Sequence, residues 1–246
     1  MQRVDWRGAI GALALSLILA GGAGFAPPAF AQHIAPEIDP YDDVVHAMLE
    51  GLDRSAEIDA TLDAMRREYR ATPVMAKLEK QSPGLIDELV EAARPVIEAS
   101  LARNSNVMNT EIAALFRANL TVSEAAEAAR FFRNPSVKRL LGNVSRNYSP
   151  DNIASGIGSD APITVEQVTK DAQNASAKGV MATSKTDLAV VEKLGEESPV
   201  WRKLKMLLPQ IREIRTRIEN APLTAEEDAI LDAAIDKIFA RRFPEN

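Results

Sequence analysis

The sequence predicts an all-α protein, and three observations carry that prediction. The composition is rich in Ala, Arg and Glu, which favour helices. Apolar residues recur at steps of three and four, with almost no strand-type alternation. Residue pairs that open helices are spread along the chain. The expected architecture is an irregular multi-helix bundle or helical array of roughly eight to ten helices.

In chain order, residues 1–31 read as a secretory signal peptide. Arg3 and Arg7 give a positive start, Ala9 to Ala20 are apolar apart from Gly11 and Ser16, and Ala29-Phe30-Ala31 is a small-x-small cleavage pattern. The mature chain would begin at Gln32, in a periplasmic or extracellular location. A capping-type residue precedes proline at Asp39-Pro40, Thr72-Pro73, Ser82-Pro83, Asn134-Pro135, Ser149-Pro150 and Ser198-Pro199. Proline suits the first helical position, where its missing N–H would have had no helical partner. Capping boxes mark further starts at Thr121/Glu124, Thr164/Gln167 and Thr224/Glu227.

Between these starts lie apolar stripes at helical spacing: Ile58, Leu62, Met65 and Tyr69; then Leu85, Leu89, Val96 and Leu101, with Pro95 predicting a kink. Val137, Leu140, Leu141, Val144 and Tyr148 form another stripe, and Ile230, Leu231, Ile235, Ile238 and Phe239 the last. Pro150, Gly156, Gly158 and Pro162 interrupt the pattern. The predicted division is a helical domain over 32–150, a linker or long loop over 151–163, and a C-terminal helical region over 164–246 packing on the first. The starts at Pro73, Pro135 and Pro199 share a cap, a basic residue and a leucine at nearly even intervals, which suggests either repeated helical units or a common way of starting helices.

The stretch from Leu120 to Leu141, LTVSEAAEAARFFRNPSVKRLL, resembles the signature of the bacterial family known as domain of unknown function 2059. That signature joins a Leu-Thr-x-x-Glu helix start to Phe-Tyr-x-Ser-Pro and a basic pair. Here Phe132, Asn134 and Val137 stand where the family has Tyr, Ser and Gly. The resemblance covers the first half of the mature chain. It implies an exported helical protein and no particular chemistry.

The formal charge is −6, and removing Arg3, Asp5 and Arg7 with the signal makes it −7. Nucleic-acid binding is therefore not expected, because phosphates require a basic surface. The absence of cysteine excludes thiol catalysis and thiolate metal sites. Only His33 and His46 are available as imidazoles. His46 reads as an ordinary helix residue. His33, beside a new N-terminal amine at Gln32, would have the nitrogen donors copper prefers, but a loose terminus or cyclised Gln32 is the simpler expectation. No HExxH, phosphate loop, GxSxG or EF-hand spacing occurs. No cofactor is expected, and a carboxylate-based hydrolase is the only catalytic alternative.

Charge segregation is the main functional pointer. From Gln32 to Asp63 nine acidic residues face Arg54 alone, whereas from Trp201 to Arg217 six basic residues face Glu213 alone. The basic segment, Arg202, Lys203, Lys205, Arg212, Arg215 and Arg217, also carries Trp201, Leu204, Leu207, Ile211, Ile214 and Ile218 at helical steps, with Pro209 predicting a kink. Three readings follow. The stripe is core and the charges are solvated or meet the acidic segment; it lies on an anionic membrane surface with Trp201 at the interface; or it docks a protein partner, including a second copy. The expectation is an exported, non-catalytic protein with a binding or envelope-associated role.

Overall fold

The computed structural model describes residues 38–156 and 161–244. The predicted signal segment, its cleavage site and His33 lie outside them. The described residues form helices only: α1 (Pro40–Leu49), α2 (Arg54–Ala71), α3 (Pro73–Gln81), α4 (Leu85–Asn119), α5 (Val122–Arg133), α6 (Pro135–Arg146), the single turn α7 (Asp151–Ala154), α8 (Val165–Met181), α9 (Lys185–Glu197), α10 (Pro199–Glu219) and α11 (Ala225–Arg242).

Local chemistry sets most of these boundaries. Asp39, Asn134 and Ser198 cap α1, α6 and α10 ahead of their prolines. The capping boxes of Thr121, Thr164 and Thr224 are formed in both directions, opening α5, α8 and α11. Ser82-Pro83 opens no helix. Gly84 takes a left-handed conformation with φ 85°, and the carboxylate of Glu79 accepts the Gly84 and Ile86 amides at 2.8 and 2.9 Å, supplying the cap that glycine lacks. Pro95 and Pro209 both lie inside helices that continue past them. The helices opened by Pro73, Pro135 and Pro199 run for 9, 12 and 21 residues, so what those three sites share is the start signal.

Two apolar clusters fill the interior, and α4 runs through both. The first gathers Leu62 and Met65 of α2, Met75 of α3, Leu85 to Leu101 of α4, Ala154, and Leu231, Ile235 and Ile238 of α11. The second gathers Val44 and Val45 of α1, Met108, Ile112 and Phe116 of α4, Phe131 and Phe132 of α5, Val137 of α6, and Val200, Leu204, Leu207 and Ile218 of α10. On α4 the residues between the clusters are polar yet buried: Ser100, Asn104 and Ser105. The C-terminal helices therefore interleave with the first half, α10 in one cluster and α11 in the other. Ile230, expected in the last stripe, is exposed.

The 151–163 stretch is tied to the body at both ends. Asp171 of α8 accepts the Asn152 and Ile153 amides at 3.0 and 3.1 Å and so caps α7. Asn220 accepts the Ile163 amide at 2.8 Å and donates to the Ile163 carbonyl at 2.9 Å. Ile163 packs with Val168 at the start of α8 as a hydrophobic staple.

Candidate functional site

The basic segment forms α10, and its apolar stripe is core. Val200, Leu204, Leu207 and Ile218 are buried in the second cluster, with Trp201, Ile211 and Ile214 packed against it. Trp201 stacks on Phe131 with ring centroids 4.7 Å apart, and Lys205 lies over its other side at 5.6 Å.

The predicted contact residues divide into three groups. Arg215 is buried. Lys203 pairs with Glu124 at 2.6 Å and Arg217 pairs with Glu111. Arg202, Lys205 and Arg212 join no ion pair among the described residues. They share the outward face of α10 with Met206, Pro209 and the exposed Glu213, all within about 120° of arc at roughly 3.6 residues per turn. Met206 is 69% exposed, and Leu208 on the flank is 42% exposed.

The acidic N-terminal segment does not neutralise α10 on the surface. Asp39 pairs with Arg117 at 3.0 Å, Asp43 with Arg133 at 2.5 Å, Glu50 with Arg133 and Lys138, and Asp59 with Arg94 at 3.1 Å. The Arg133 guanidinium beside Asp43 holds that carboxyl below its ordinary range. Surface pairs of this kind contribute about 0–1 kcal/mol each, so they orient α1 against α5 more than they hold it.

One electrostatic link between the two segments is internal, and the sequence reading missed it. Arg215 donates to Glu219 Oε1 at 2.6 Å and to the Tyr148 hydroxyl at 2.8 Å. Glu57 of α2 lies in the same field, between Arg54 and Arg215. All four groups are buried. Burial raises Glu57 to about 8 against the pull of Arg215 and Arg54, and its Oε2 has no hydrogen-bond partner among the described residues. Burial likewise raises Glu219 to about 7, opposed by its direct bond to Arg215. Burial also works against the Arg215 charge, but Tyr148, Glu219 and Glu57 outweigh it and hold its pKa up. The arrangement is a guanidinium bonded to Glu219 with Glu57 in the same field, and burial favours the protonated form of both acids, Glu57 the more strongly. The signals available in sequence were the Arg215/Glu219 spacing of four and the position of Glu57 one helical step from Thr61 and Leu62.

Two open clefts mark the described surface. One, of about 440 Å³, lies between α1 and α4 and is lined by Asp42, His46, Asn106, Asn109, Thr110 and Arg117 among others. The second, of about 330 Å³, lies between α5 and α9 and is lined by Glu127, Arg130, Phe131, Asn134, Leu194, Glu197 and Ser198. Neither is lined by Glu57 or Glu219. Among the described residues no three His, Asp or Glu side chains are grouped to hold a metal ion, and no helix is long and apolar enough to cross a membrane. In comparisons with family models, curated proteins and solved structures, the chain has no match.

Proposed function

We propose that this is an exported, non-catalytic, envelope-associated protein that contacts an anionic membrane surface through the outward face of α10. One observation carries the reading. Arg54 aside, the only described arginines outside an ion pair are Arg130, Arg202 and Arg212, and two of these share one helix face with Lys205 and the exposed Met206. Three cations near an anionic surface contribute about 1 kcal/mol each, and Glu213 on the same face offsets about one of them. Burying the tips of Met206 and Leu208 adds about 1–2 kcal/mol. The sum corresponds to roughly millimolar or weaker binding, which is reversible and sensitive to salt.

The apolar stripe foreseen for membrane contact is occupied by the core, so the contact is superficial. The non-catalytic reading is supported by where the perturbed carboxylates Glu57 and Glu219 lie, beneath the surface and lining neither cleft. The likeness of Leu120–Leu141 to an exported helical family agrees with the location.

The test is cosedimentation of residues 32–246 with phosphatidylglycerol-containing vesicles and with pure phosphatidylcholine vesicles, at low and high salt. Binding to the anionic vesicles only, lost at high salt and in R202E/K205E/R212E, is expected. Equal binding by that variant, or no binding by the wild type at low salt, overturns the proposal.

A further inference from the structure

The α5–α9 cleft is built from two helix faces. Glu127, Arg130 and Phe131 stand at i, i+3 and i+4 on α5, with Asn134 as its C-cap; Leu194 and Glu197 stand at i and i+3 at the end of α9, with Ser198 as its C-cap. Its floor is fixed, because Phe131 is buried and stacked on Trp201. Its other wall is adjustable, because no residue of α9 is buried.

The charges in this cleft limit what it can hold. Arg130 is in no ion pair; its Nε donates only to the Ala126 carbonyl of its own helix at 3.3 Å. Glu127 accepts from Ser198 Oγ at 2.6 Å, and Glu197 has only Lys193 at 3.9 Å. A simple anion would satisfy Arg130 but face two carboxylates. A simple cation would satisfy the carboxylates but face the guanidinium. An uncharged apolar molecule would desolvate all three charges without replacing their water.

We infer that the α5–α9 cleft binds a small zwitterion with an apolar side chain, an amino acid or dipeptide. Its carboxylate pairs with Arg130 as a charge-assisted, bidentate contact. Its ammonium lies between Glu127 and Glu197, and its side chain rests on Phe131 and Leu194. Asn134 and Ser198 flank the cleft with groups suited to an amide. The volume falls at the lower end of small-molecule sites, which favours one or two residues over a longer peptide.

Trp201 is a built-in reporter, since it stacks on Phe131 and lies close enough to Gly195 that a Cβ there would approach its ring to 3.1 Å. The experiment titrates L-leucine and L-leucyl-L-leucine into residues 32–246, following Trp201 emission and, in parallel, heat. Isoamylamine and 4-methylpentanoate, which each lack one charge, are the comparison probes. Saturable binding of at least one zwitterion, weakened about tenfold or more in R130Q, and weak or absent binding of both analogues are expected. Arg130 is exposed, so R130Q is expected to keep the fold, and circular dichroism checks that it does. No heat or emission change with either zwitterion, equal affinity in folded R130Q, or equal binding of a singly charged analogue overturns the inference. The R202E/K205E/R212E protein should bind the zwitterion like wild type, which separates this site from the α10 surface.

Discussion

Replacing Glu57 with glutamine should change how stability depends on pH while leaving stability in mild acid almost unchanged. The native protein holds the Glu57 proton up to about pH 8, whereas the unfolded chain releases it near 4.5. Between those values the folded state binds more protons, so its stability falls as pH rises across that window. At about 1.4 kcal/mol per unit, and in addition to a loss from Glu219 below about pH 7 that E57Q retains, Glu57 alone should cost the wild type on the order of 3–5 kcal/mol between pH 5 and pH 8.5. That is a large part of the total for a domain of this size, and corresponds to about 8–15 °C in Tm. Ionisation places a second anion beside Arg215, which already has Glu219. Arg54 and Asp53 act on Glu57 with opposite signs, while Tyr148 acts on Arg215 and Asp171 on Glu219. Glutamine keeps the shape and stays neutral, so E57Q should match the wild type within about 1 kcal/mol at pH 5 and exceed it by several at pH 8.5. Urea unfolding at closely spaced pH values measures this. Parallel decline of the two proteins from pH 6 to 9 would refute the assignment of the proton to Glu57. E219Q supplies the contrast: above about pH 7, where the wild-type Glu219 is ionised, it strips Arg215 of its anion and should cost about 3–5 kcal/mol, whereas at pH 5, where Glu219 is protonated, it should cost much less.

Other consequences can be measured separately. Gly179 faces α6 so closely that an added Cβ would come within 2.5 Å of Val144 Cγ2 and 2.7 Å of its Cα; G179A should therefore destabilise by about 1–3 kcal/mol in urea, although helix propensity predicts a gain of about 1. Partial burial raises Glu79, but the Ile86 and Gly84 amides outweigh it and hold its carboxyl down. E79A should cost about 1–2 kcal/mol at pH 7, as for loss of a helix cap, and that difference should fade in acid as pH falls through the lowered native pKa of Glu79 and its carboxylate is protonated. Asp187 joins α9 to α6 by accepting from Ser136 Oγ at 2.8 Å and pairing with Arg139. Because α9 buries no side chain, D187A should speed hydrogen exchange across 185–197 several-fold with little change in overall Tm; uniform exchange with the wild type would show that α9 is held by something else.

Helix starts were the most legible part of the fold, because their determinants lie within three residues. Thr121/Glu124, Thr164/Gln167 and Thr224/Glu227 all form reciprocal caps. Ser82-Pro83 misled for the same reason in reverse: the cap of α4 comes from Glu79 in the preceding helix, which no adjacent-pair rule detects. The second half of α4 was hard to read because Ser100, Asn104 and Ser105 interrupt its apolar pattern, and they are buried only through contact with distant helices. At the candidate site, the stripe of α10 and its surplus of charge were visible. The fate of each charge was not. Lys203 meets Glu124 and Arg215 meets Tyr148, partners far away in sequence, and the unpaired set of Arg202, Lys205 and Arg212 emerges only by subtraction. The α5–α9 cleft needs two helix faces to meet, which periodicity on either helix cannot foretell.

The place of α11 in the first apolar cluster bears on when this chain can fold. Leu231, Ile235 and Ile238 complete a core whose other members are supplied by α2, α3, the first half of α4 and Ala154 of α7. Until the last helix arrives, that core has an open side, and closing it must overcome the loop entropy of most of the polypeptide. A chain emerging from its N-terminal end is thus held back from premature collapse by its own topology, and the first core closes only once the last helix is available.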